Sequence, residues 1–242
     1  MSNLIKTEIY KWIKSKTFWG LFIYILLIIT FFSLFGENKI IAKDIVTYLE
    51  DPIRVFMLVF PIVYLLGMTI SYEFKTGYIE NAAANGYSRE TIYFSKQISY
   101  FFAIIIFCVI LFSVVFLAVM LSSGYGDDFI ISDLYILFKI FLISIFLIIA
   151  ISSFVSMISF ISRNVEVLVV IFFLDIMIFN LQQGIQKEWF RRIIDYHIYN
   201  RFIIALGENS GYKEIVLMLS TSIIAVFLFN FIAIYRFKKC DI

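Results

Sequence analysis

The chain is predicted to be an all-α membrane protein with six transmembrane helices, and three observations predict it. First, 62% of its residues are hydrophobic and only 16% are charged, against about 45–50% and about 25% in soluble domains. That excess cannot be enclosed in a water-soluble core. Second, six apolar segments each approach the ~20 residues needed to cross the hydrocarbon of a bilayer. Third, the basic residues gather beside alternate segment ends, which is how spans are oriented in a membrane. All 242 residues therefore read as one membrane domain, with no soluble catalytic domain expected.

Before the first span, residues 1–17 read as an interfacial helix. Ile5, Ile9, Trp12 and Ile13 share one helical face, and Lys6, Lys11 and Lys14 lie off it, a pattern that suits a helix lying among inner-leaflet headgroups. The spans follow at about Phe18–Phe35, Ile53–Tyr72, Ile98–Leu121, Leu134–Ile161, Val165–Leu181 and Glu214–Phe237. The first is longer than a signal-peptide core, and no small-x-small cleavage site follows it, so it reads as a retained span. Pro52 opens the second span, a favourable place for proline. Pro61 lies inside it and is expected to kink it.

Between spans two and three lies the polar segment 73–96, in the stretch SYEFKTGYIENAAANGYSRETIYFSK. Asn85-Gly86 is a turn signal, and Ser88 is placed to cap a helix running into span three. The segment should form helix, turn and helix. After span five, residues 182–213 read as an outer amphipathic or re-entrant element. Trp189, Phe190, Ile193, Ile194 and Ile198 form its apolar stripe and Lys187, Arg191, Arg192 and Asp195 its polar side. Eleven basic residues flank one set of span ends (Lys6, Lys11, Lys14, Lys16, Lys75, Arg89, Lys96, Arg163, Arg236, Lys238, Lys239) and eight flank the other. The imbalance places both termini in the cytoplasm.

Enzymatic chemistry has no visible machinery. No glycine is followed by lysine, which excludes a G-x-x-x-x-G-K-S/T phosphate loop. There is no H-E-x-x-H, no CxxC and no nucleophile elbow, and His197 is the only histidine. Cys108 and Cys240 lie in different settings and imply neither a disulfide nor a metal site. No catalytic residue, metal or nucleic-acid partner is expected.

Asp175 is the one acid deep inside a span, and an ionisable group there needs a reason. Lys139 lies 24 residues before Arg163 and Asp175 lies 12 after it. Along straight helices their depths differ by roughly 18 Å, so Lys139 should reach the outer surface rather than Asp175. Two readings of Asp175 stay open: a hydrogen-bonding group between helices, or the lining of a substrate path. Ser152, Ser156 and Ser159 recur at close spacing in span four and read as a surface for close helix packing.

The polar segment carries a resemblance. An acidic residue (Glu73), a glycine at a short helix (Gly77), a Ser-Arg pair (Ser88-Arg89) and a lysine leading into span three (Lys96) resemble the pattern in membrane subunits of type-2 ABC exporters. The wider layout agrees. The resemblance implies a cytoplasmic coupling segment, with Glu73, Gly77, Gly86, Ser88, Arg89 and Lys96 as its coupling residues. Glu73 and Arg89 would either bind a separate ABC ATP-binding subunit or lock the segment's own fold. It also implies pairing with a second copy or a sister permease, with ATP and Mg bound by the partner subunit and no cofactor in this chain. Small permeases of this kind are similar to those of lantibiotic and bacteriocin immunity, or of peptide and drug efflux, in the bacterial cell membrane. The competing readings are an ion-coupled transporter or channel using Asp175, and a non-transporting immunity or scaffold protein.

Overall fold

A computed structural model describes residues 2–35, 52–124, 131–184, 201–202, 204–205 and 211–240, which are helical apart from short turns. The helices are α1 (Ser2–Lys14), α2 (Lys16–Phe35), α3 (Pro52–Lys75), α4 (Tyr78–Ala84), α5 (Arg89–Ser123), α6 (Ile131–Ser162), α7 (Val165–Gly184) and α8 (Tyr212–Lys239). Each of the six expected apolar segments lies within one of the long helices. Three stretches among the described residues are long and apolar enough to cross a membrane by length and composition: Arg89–Ile110, Phe141–Ser162 and Tyr212–Lys239. Most of the expected outer segment 182–213, including Trp189 and His197, lies outside the described residues.

Local chemistry explains the boundaries. α3 starts at Pro52, whose missing N–H costs nothing at a helix start, and it runs past Pro61 as one helix. α3 stops where Gly77 takes the left-handed conformation, φ 72°. Gly86, φ 86°, makes the next turn, and Ser88 Oγ accepts the Thr91 N–H at 3.2 Å, the capping bond that starts α5. Between α6 and α7, Asn164 Oδ1 accepts from the Glu166 N–H at 2.9 Å.

α6 is the central helix, packed chiefly on α8 and α3. Ser152, Ser156 and Ser159 are all buried in it. Ser152 and Ser156 return their hydroxyls to their own helix, while Ser159 donates to Val155 O at 2.9 Å and to Gly67 O of α3 at 3.3 Å. Close approach at Gly67 makes that contact possible. A Cβ built there would lie 2.3 Å from Val155 Cγ1 and 3.0 Å from the Tyr100 hydroxyl, which itself donates to Val63 O at 2.7 Å. Val155 is β-branched and cannot swing aside. Gly67→Ala is therefore expected to destabilise the bundle by about 1–3 kcal/mol. Adding Val155→Ala should restore much of the lost melting temperature in detergent.

A second knot joins three helices. Tyr93 Oη (α5) donates to Asn230 Oδ1 (α8) at 2.6 Å, and Asn230 Nδ2 donates to Ser153 Oγ (α6) at 3.2 Å. Asn230 also donates to Val226 O at 2.7 Å, so its amide is well used in an apolar setting.

Candidate coupling site

The base of the α3–α4–α5 segment is built from three layers. The innermost is aromatic. Phe74 of α3, Tyr93 of α5, Phe160 of α6 and Phe237 of α8 are all buried. Phe74 meets Phe160 and Phe237 edge-on at 5.6 and 6.0 Å, Phe160 meets Phe237 at 5.1 Å, and Tyr93 meets Phe160 at 4.8 Å between ring centroids. Offset and edge-on rings attract beyond simple burial. The Arg163 guanidinium lies 5.4 Å from the Phe74 ring centroid, a cation–π distance. Arg163, which charge counting treats as an orientation signal alone, is therefore packed against the same core.

Beside this cluster sits an ion network that joins α1, α3 and α5. Lys96 pairs with Glu8 at 2.7 Å and also with Glu73. Lys11 pairs with Glu8 at 3.2 Å and Glu73 at 3.1 Å. Two carboxylates and two ammonium groups thus alternate, and their charges sum to zero. Tyr78, the first residue of α4, lies under both cations, its ring centroid 3.0 Å from Lys11 Nζ and 4.5 Å from Lys96 Nζ. The side chains of Glu8 and Lys96 are each only 3% exposed. Breaking such a pair one-sidedly strands a charge away from water, which is far more costly than the pair is worth.

Burial works to lower the pKa of Lys11, but the Glu73 charge, the contact with Tyr78 and the Glu8 charge outweigh it, and the net direction is upward. A raised lysine pKa means the folded state holds the proton more tightly than the unfolded chain. Its stabilising contribution is complete below the usual lysine value and is lost as pH rises through the elevated one. Lys11 thus keeps its charge throughout the neutral range.

The buried face of α1 is not centred on Ile5, Ile9, Trp12 and Ile13. Leu4 and Glu8 are buried, Lys11 is turned inward, Ile5, Ile9 and Trp12 are half-buried and Ile13 is exposed. The stripe is displaced because α1 packs on α5, where Lys96 needs a carboxylate. Glu8 has no distinguishing periodicity. Its one signal is that it is the sole acid among four lysines before the first span.

The third layer is Arg89, at the first position of α5. Its guanidinium donates to Lys238 O at 2.6 Å, Phe237 O at 3.5 Å and Cys240 O. The neighbouring Glu90 pairs with Lys238. A cation at the end of a helix satisfies carbonyls that have no intrahelical partner and complements the helix dipole. Arg89 thus closes α8 onto the α3–α4–α5 segment. Gly77, Gly86 and Ser88 shape the segment locally, while Glu80, Asn81, Ala84, Asn85, Gly86 and Tyr87 form its exposed tip. Farther along the bundle, Asp175 of α7 accepts a 2.5 Å hydrogen bond from the buried Tyr64 hydroxyl of α3, an inter-helix contact of the kind expected for one of its two readings. Lys139 is half-buried in α6. Among the described residues, no group of His, Cys, Asp and Glu side chains is arranged to hold a metal ion.

Neither a curated protein nor a solved structure matches the chain. The profile of the ABC-2 family transporter proteins matches residues 4–180, a region that contains most of α1, the ion network and the whole α3–α4–α5 segment. The chain belongs to the ABC-2 family of transporter proteins, as a membrane subunit whose family implies partnership with an ATP-binding subunit.

Proposed function

We propose that the protein is the membrane subunit of an ATP-driven exporter that moves a hydrophobic or amphipathic substrate, such as a peptide, bacteriocin or drug, out of the cell. The whole chain forms one permease domain with six spans and both termini in the cytoplasm of a bacterium. Two permease subunits, identical or sister, combine with two ATP-binding subunits. ATP and Mg are held by those partners, and this chain hydrolyses nothing alone.

The observation that carries this reading is the base of the α3–α4–α5 segment in a chain of this family. A short helix between two long ones is pinned on one side to α1 by Glu8, Lys11, Glu73 and Lys96. On the other side Arg89 pins it to α8. The segment can then move only with the bundle, as a lever driven from its tip must. Glu80, Asn81, Asn85 and Tyr87 offer the docking surface to the ATP-binding subunit. Glu73, Gly77, Gly86, Ser88, Arg89 and Lys96 keep that surface in shape and transmit its motion. Asp175, with Tyr64, holds α7 against α3 beside the route taken by the substrate.

The test is a mild-detergent purification of the tagged protein from native membranes, followed by mass spectrometry. A stoichiometric soluble ATPase is expected, and it should be lost when Glu80→Lys and Asn81→Lys alter the exposed tip without touching the ion network. Charge reversal of Glu73 and Arg89 together should also release it. A monodisperse preparation that carries no ATPase would overturn the reading.

A further inference from the structure

The network around Lys96 has a consequence for the other side of α1. Glu8 is the only acid in residues 2–35, and it faces inward, neutralised by Lys96 and Lys11. What α1 and the start of α2 leave exposed is Asn3, Lys6, Thr7, Tyr10, Ile13, Lys14, Lys16 and Trp19. Asn3, Lys6, Tyr10, Ile13 and Lys14 recur at helical spacing along one side. Lys14 Nζ lies 5.9 Å from the Tyr10 ring centroid, and Trp19 Nε1 donates to Ile13 O at 2.8 Å, which fixes the corner between α1 and α2. The surface therefore carries three cations, three large apolar or aromatic side chains and no exposed carboxylate.

We propose that this outward face of α1 docks on anionic phospholipid headgroups, and that the Glu8–Lys96–Glu73 network ties that lipid contact to the coupling segment. The inference rests on the reading above, in which α2 crosses the membrane and α1 lies at its cytoplasmic surface. Two features favour a lipid over an acidic protein. The lysines are interspersed with Tyr10 and Trp19, aromatic residues that favour the headgroup level. One residue, Ser15, separates α1 from α2, so a spanning α2 holds α1 at headgroup level. The cytoplasmic leaflet carries the negative surface potential that attracts such lysines.

The test uses the full chain with Trp189→Phe, so that Trp12 and Trp19 report alone, reconstituted in phosphatidylcholine vesicles. Equal amounts of brominated phosphatidylglycerol or brominated phosphatidylcholine are included. Stronger quenching by the brominated phosphatidylglycerol is expected, weakening as salt screens the charges. The preference should fall roughly fivefold for each lysine neutralised in the series Lys6→Gln, Lys14→Gln and Lys16→Gln. Equal quenching by the two lipids, or a preference that survives all three substitutions, would overturn the proposal. So would a triple variant that keeps the lipid preference but no longer retains the ATP-binding subunit, because the face would then serve a protein. The orientation is tested separately with Lys14→Cys in a Cys108→Ser, Cys240→Ser background. An impermeant maleimide should label it in inside-out vesicles alone. The opposite labelling refutes the orientation in the proposed function, while the quenching result still decides the lipid contact.

Discussion

Lys96→Met is expected to destabilise the folded protein by about 3–5 kcal/mol, the largest stability effect of any substitution considered. Methionine has a similar length and no charge. It leaves the Glu8 and Glu73 carboxylates facing one another with Lys11 as their remaining cation, and Glu8 is nearly inaccessible to water. The loss should appear as a large drop in the unfolding midpoint in detergent, followed by circular dichroism. A shift no larger than that of an exposed control such as Lys75→Met would mean that the ion network does not exist in solution.

The alternation of charges makes two further variants diagnostic. In Glu8→Leu/Lys96→Met, Lys11 and Glu73 remain as a balanced pair, and most of the stability should return, because apolar replacement of a buried pair is often neutral. The exchange Glu8→Lys/Lys96→Glu should not rescue. It would place a second cation beside Lys11 and a second carboxylate beside Glu73. An isolated Glu8–Lys96 bridge would tolerate that exchange. The difference between the two double variants therefore separates a four-membered network from a simple pair.

What was legible in the sequence was local. Apolar segments near bilayer length are helices because a helix satisfies its backbone groups within one segment. Asn85-Gly86 and Ser88 were readable because a turn and a helix cap depend on residues within a few positions of each other. The partners of Glu73, Arg89 and Lys96 were not readable in the same way. Lys96 meets Glu8 across most of the N-terminal half of the chain, and Arg89 binds backbone carbonyls at the far end of α8. Carbonyls leave no mark in a residue pattern. The side of α1 that packs on α5 is hidden for a related reason. Hydrophobic periodicity finds the apolar side of a helix, while the buried side here is set by a charge that must be matched. Asn230, a lone amide in an apolar stretch that ties three helices together, is a residue that periodicity does not single out and that intramembrane polarity marks.

Arg89→Glu is expected to abolish transport, whereas Asp175→Asn should leave it within about threefold. The first change directs a carboxylate at the terminal carbonyls of α8, where Arg89 now donates, and it turns a favourable contact with the helix dipole into a repulsive one. Glu90, already paired with Lys238, would then lie next to a second acid. Hydrogen bonds to a charged group contribute about 1.5–3 kcal/mol each, so releasing this clamp should detach α8 from the lever while the aromatic layer keeps the bundle folded. Arg89→Lys, which keeps the charge and loses the planar fork, should fall between. In Asp175→Asn the amide oxygen still accepts from the Tyr64 hydroxyl, so the contact between α3 and α7 survives without the charge. A transporter driven by protonation of Asp175 requires the reverse ranking. The measurement is ATPase turnover of the co-purified complex in lipid nanodiscs, together with protection of cells against a panel of amphipathic peptides. If Asp175→Asn abolishes protection while Arg89→Glu in folded protein does not, the lever from α4 through Arg89 to α8 is not the working part of this molecule. The energy source must then be sought at Asp175 itself.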